Sequence, residues 1–94
     1  MGKQDNHTML VKHPSDLAKI YGLSDEITLT ITQFYNRDKS LLLQISGLLY
    51  AVYNGFDEPA QLNIKNVFVS KMDKFRIIYR KENTKIEILN IAIS

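Results

Sequence analysis

Phe75-Arg76-Ile77-Ile78-Tyr79-Arg80 is followed by a polar Lys81-Glu82-Asn83-Thr84 and then by Lys85-Ile86-Glu87-Ile88-Leu89-Asn90-Ile91-Ala92-Ile93. The first run alternates and is rich in β-branched and aromatic residues, the pattern of a half-buried strand. The last run is apolar on both faces for most of its length, as a central strand covered on both sides would be. The polar stretch between them is too short for a crossover, so the two are expected to pair antiparallel. Upstream, Leu62/Ile64 and Val67–Val69 read as further short strands, with Lys71–Lys74 as the turn into Phe75. Residues 60–94 are therefore expected to form a three- or four-stranded antiparallel sheet.

Before that sheet the periodicity is helical. Pro14, Ser15 and Asp16 suit the start of a helix, and Gly22 suits its end. Ser24 is a good N-cap, and Asp25 and Glu26 complement the positive end of a helix dipole. Ile27-Thr-Leu-Thr-Ile-Thr alternates like a strand, yet Ile20, Leu23, Ile27, Ile31 and Phe34 recur at three- and four-residue spacing. The cap and the acidic first turn favour a helix. After the polar break Asn36–Lys39, Leu41/Leu42, Ile45, Leu48/Leu49 and Val52 repeat the helical spacing, and Asn54-Gly55 ends it. Phe56–Ala60 reads as a loop, Thr8–Lys12 as a short edge strand, and residues 1–8 as mostly a polar arm. The whole is expected to be one α+β domain, with N-terminal helices over 14–54 packed on the C-terminal sheet.

Composition removes several classes of function. A chain of 94 residues fits one domain. With no cysteine there is no disulfide, no thiolate zinc site and no thiol nucleophile, which suits a reducing, cytoplasmic compartment. The longest apolar runs, Leu41–Leu43 and Leu48–Val52, fall far short of the roughly 20 residues that span a bilayer. Met1–Met9 lacks the apolar core of a secretory signal. The glycines, at 2, 22, 47 and 55, form no phosphate loop. Neither His7 nor His13 has a nearby acid at ligand spacing on an element expected to be rigid, so no metal or other cofactor is expected. They also complete no Ser/His/Asp arrangement. Asp57-Glu58 reads as a turn pair beside Pro59 rather than an acid/base pair.

Charge is concentrated near the end of the chain. Six of the twelve basic residues lie between Lys71 and Lys85 against Asp73 and Glu82, a local balance of 6 − 2 = +4 where the whole chain carries +2. Alternation puts Phe75, Ile77 and Tyr79 on one face of their strand and Arg76, Ile78 and Arg80 on the other. Lys74 would extend the second face if the strand began one residue earlier. Guanidinium groups on one side of a sheet offer fixed donors to phosphates. The competing reading pairs them with Glu87 on the next strand. Lys71, Lys74, Arg80 and Lys81 are the candidate nucleic-acid contacts around Arg76.

Asp73–Ile91 resembles the C-terminal hairpin of the RelE/ParE toxin superfamily, where an aromatic-Arg-aliphatic-aliphatic-Tyr strand precedes a polar turn and an apolar strand. The resemblance covers the last quarter to third of the chain, and the order of helices then sheet agrees with it. It implies a small toxin silenced by a cognate antitoxin, acting on RNA at the ribosome or on DNA gyrase, with a homodimer possible. In the RelE-like branch the toxin is a metal-independent endoribonuclease. There the 2′-hydroxyl attacks the adjacent phosphate while basic side chains hold it and a general base takes the proton. Arg76 carries over as the phosphate stabiliser, and Lys71 and Lys74 lie where members place basic residues. Three departures stand out: Val67-Phe68-Val69-Ser70 replaces a basic strand, the sequence ends at Ile93-Ser94 where active members add Arg or His and often Tyr, and residues 14–54 give more helix than the simplest members have. The fold is thus expected to transfer better than the nuclease activity.

Two other classes stay open on the sequence. One is a small regulatory or interaction protein of phage or plasmid type, with Leu48, Leu49 and Tyr53 in an oligomer seam. The other is a helix-turn-helix DNA reader in Asp16–Thr32, where Ala18 and Gly22 stand four apart. Its second helix would present Thr28, Thr30 and Thr32 rather than basic or amide side chains, and the aliphatic position falls on Ile27 instead of Thr28.

Overall fold

A computed structural model describes residues 11–93. The expected N-terminal arm and most of the Thr8–Lys12 strand lie outside the described residues; Val11 and Lys12 are not strand. Among the described residues three helices precede an antiparallel sheet, the α+β layout expected from the change of period near Pro59. Two compact units divide the chain, Met1–Ser46 and Gly47–Ser94, with the boundary inside the third helix.

In the first unit, α1 is Pro14–Tyr21 and ends at Gly22, whose φ of 65° is the left-handed cap that glycine adopts freely. The Asp16 carboxylate accepts the backbone N–H groups of Lys12 at 2.8 Å and His13 at 3.0 Å, tying down the helix start. α2 is Asp25–Arg37, and the Ser24 hydroxyl oxygen caps it by accepting the Ile27 N–H at 3.2 Å. In its threonine-rich start each threonine hydroxyl is satisfied within the helix by bonding back one turn. Thr28 donates to the Ser24 carbonyl at 2.8 Å, Thr30 to Glu26 at 3.2 Å and Thr32 to Thr28 at 2.8 Å. Leu17, Ile27 and Ile31 are buried. The Asp38 carboxylate then accepts the backbone N–H and hydroxyl of Ser40, opening α3, Ser40–Asn54.

The second unit holds the end of α3 and a four-stranded sheet in chain order: β1 Ala60–Gln61, β2 Val67–Met72, β3 Phe75–Glu82 and β4 Lys85–Ile93. Each strand pairs antiparallel with the next. Three sequence expectations are corrected here. Leu62 and Ile64 are exposed loop residues, and the first strand is only Ala60–Gln61. Pro59 would oppose Ser70 and has no N–H to give, so the β1 ladder stops at Ala60. The turn expected over Lys71–Lys74 is just Asp73-Lys74, since β2 runs on to Met72. Asp73, with φ 55°, and Asn83, with φ 59°, supply the left-handed positions of the two-residue turns, which Asp and Asn tolerate well.

The third correction concerns β4, which lies at an edge of the sheet among the described residues, while β2 and β3 are interior. Its two-sided apolar look comes from a bulge. Ile78 pairs with Asn90 but Tyr79 pairs with Ile88, leaving Leu89 as the extra residue. The bulge shifts the phase by one, so Ile86/Ile88 and Ile91/Ile93 point to the same face despite their opposite parity. That face carries the buried Ser70, Phe75, Ile77, Tyr79, Ile88 and Ile91.

Candidate nucleic-acid interface

The alternation read in β3 is present. Phe75, Ile77 and Tyr79 are buried, Arg76 is exposed, and Ile78 and Arg80 are half-buried. Register places Lys71 of β2 directly opposite Arg76, with Ala92 of β4 on its other side. Opposed residues on one face have Cβ atoms about 5 Å apart. Neither Lys71 nor Arg76 has a carboxylate partner among the described residues. Beside them lies an aliphatic strip of Val69 and Ile78, and beyond it Arg80. At about 3.3 Å per residue, Arg76 and Arg80 are roughly 13 Å apart along the strand.

Arg80 behaves differently from Arg76. Its Nη1 donates to Glu87 Oε1 at 3.1 Å, and these two residues are cross-strand partners. The pair sits in water, with side chains 40% and 67% exposed, so it adds less than about 1 kcal/mol. Glu82 and Lys85 face each other at the end of the same ladder. By register this face bears Lys71, Arg76, Arg80 and Lys85 against Glu82 and Glu87, a balance of 4 − 2 = +2.

The remaining candidates, Lys74 and Lys81, do not lie on this face by register. Lys74 sits in the Asp73-Lys74 turn, because the strand begins at Phe75. Lys81 alternates to the opposite side of β3, pairs with Ile86, and gives its backbone N–H to the Asn66 carbonyl at 2.8 Å. In the first unit, the hydroxyls of Thr28, Thr30 and Thr32 are spent on their own helix backbone. His13 lies edge-on to Tyr35 at 6.0 Å, and no three His, Cys, Asp or Glu cluster at metal distance among the described residues.

The other face of β3 is anchored by a contact the sequence reading did not foresee. The buried Tyr79 hydroxyl donates to Asp57 Oδ2 at 2.8 Å, and its ring stacks on Phe68, the residue opposite it in β2. Burial first, and then the Asp57 carboxylate, push the Tyr79 hydroxyl well above its ordinary range. Asp57, read as a turn former, thus also fastens the loop after α3 to the strand that carries both arginines.

No family model, curated relative or solved structure matches the chain. Among the described residues no helix is long and apolar enough to cross a membrane.

Proposed function

We propose that the chain is a toxin module of the RelE/ParE type, which holds nucleic-acid phosphates against the basic face of its sheet and is silenced by a cognate antitoxin. The observation that supports this best is Lys71 opposed to Arg76. Like charges set directly across a ladder cost stability, so a fold that keeps them without a carboxylate keeps a place for an anion. Arg76 brings fixed donors suited to a phosphate, Lys71 a mobile point charge, and Ala92 leaves the third side low. These groups bind and stabilise negative charge. Lys71 and Arg76 carry the phosphate-binding half of the reading.

Induced expression in a bacterial cytoplasm tests it. Growth and bulk translation should stop, and the Arg76→Ala protein, still folded, should relieve both. Purified protein added to a cell-free translation system separates the branches. Shortened mRNA would mark the endoribonuclease, and intact translation with blocked gyrase supercoiling the ParE-like branch. A protein that halts none of these is not a toxin.

A protein-contact reading has one supporting observation. Tyr50 and Phe56 are 48% and 69% exposed and stack at 6.0 Å. Of the seam suggested by Leu48, Leu49 and Tyr53, both leucines are buried and Tyr53 is half-buried. A dimer in light scattering that persists after charge reversal at Arg76 and Arg80 would favour this second reading.

A further inference from the structure

Glu87 owes its place to the bulge. In a regular ladder continuing from Ile77–Ile91 and Ile78–Asn90, Tyr79 would oppose Leu89, Arg80 would oppose Ile88, and Glu87 would fall across from Lys81 on the other face. The extra Leu89 moves Glu87 by one position, onto the basic face and against Arg80. The same face therefore holds two kinds of cation. Lys71 and Arg76 are without a carboxylate, while Arg80, about 13 Å along the strand, is occupied.

We infer that Glu87 is a built-in competitor for the polyanion. It holds the Arg80 guanidinium in the free protein and gives it up only to a strand already seated on Lys71 and Arg76. This rests on the phosphate-binding reading above and adds a selectivity rule to it. A single small anion engages the Lys71–Arg76 pair and leaves Arg80 on Glu87. A strand whose phosphates reach Arg80 must displace the carboxylate, so short or weakly charged ligands gain nothing from that arginine. Being exposed on both sides, the pair exchanges easily, as a gate of this kind requires.

The test is salt-dependent binding of a labelled single-stranded RNA, by fluorescence anisotropy, to the full chain and four variants. Glu87→Gln should bind about two- to fivefold more tightly, because the competing contact is gone. For a strand long enough to reach Arg80, the slope of log affinity against log salt should stay close to that of the wild type, because both proteins make that phosphate contact once bound. Glu82→Gln removes the same charge from the same face without freeing Arg80 and should gain less than Glu87→Gln. In the Arg80→Ala background the gain from Glu87→Gln should shrink to that of Glu82→Gln, since without the guanidinium only the bare charge of the carboxylate is removed. Equal gains for Glu82→Gln and Glu87→Gln would reduce the effect to net charge and overturn the inference, as would a Glu87→Gln gain that is undiminished in the Arg80→Ala background. If neither the wild type nor Glu87→Gln binds in a salt-dependent way, the phosphate-binding reading itself fails, and the inference with it.

Discussion

Lys71 and Arg76 face each other across the β2–β3 ladder with no carboxylate between them among the described residues. An arrangement kept for internal stability would have an acid at one of those positions. Arg76→Ala is therefore expected to leave the fold intact and, at low ionic strength, to raise its stability by a few tenths of a kcal/mol, up to about 1. The gain should vanish near 1 M salt, where charges are screened beyond about 3 Å. Denaturant unfolding at the two salt concentrations measures it. A loss of cooperativity or of more than about 2 kcal/mol would make Arg76 structural.

Tyr79→Phe is expected to cost about 1 kcal/mol, one hydrogen bond whose acceptor, the half-buried Asp57, regains water. It also changes the alkaline limb. Folded Tyr79 keeps its proton above the ordinary value near 10, where the unfolded chain releases it, so the folded state binds more protons there. Wild-type stability is thus full below about pH 10 and falls as the pH climbs beyond it. The Phe variant should fall less steeply, as denaturant midpoints at pH 8 and above pH 10 would reveal.

Asp16 gives the opposite sign. The backbone N–H groups of Lys12 and then of His13, aided by the charges of His13 and Lys19, hold its carboxyl below the ordinary carboxylate range against a small desolvation penalty. Its contribution is present above the ordinary value and lost as the pH falls through the lowered one. Asp16→Asn should weaken the protein at pH 6 and flatten its acid-side decline. Helical circular dichroism followed from pH 6 to pH 2 is the readout.

Glycine positions separate backbone cost from packing. Gly47 lies inside α3, is exposed, and a Cβ built there meets nothing within 4 Å. Gly47→Ala should stabilise the protein by about 0.5–1 kcal/mol. Gly22 has equal room but φ 65°, so Gly22→Ala should cost about 1 kcal/mol. Thermal unfolding of the two variants should therefore shift in opposite directions.

Much of the fold is legible in the residues. The cap at Ser24 and the 3–4 spacing of Ile27, Ile31 and Phe34 outweigh the strand-like threonines, whose hydroxyls bond one helical turn back. Ile20 and Leu23, of the same apparent period, lie before that helix, and Ile20 is exposed. In β3 strict alternation identifies both faces. The edge position of β4 is harder to see, because one inserted residue makes a one-sided strand look two-sided. The signal is the change of parity between Ile86/Ile88 and Ile91/Ile93, with Leu89 between them. That same insertion decides which cation Glu87 meets, so the division of the basic face into paired and unpaired arginines was open in the sequence. The Tyr79–Asp57 bond joins residues 22 positions apart and leaves no periodic trace.

Strand order in the sheet is chain order, and two-residue turns join β2 to β3 and β3 to β4. Closing either hairpin costs little chain entropy, and the two can zip up independently. Kinetically, then, the surface bearing Lys71, Arg76 and Arg80 is assembled from near neighbours alone, and its formation need not wait for any long-range encounter.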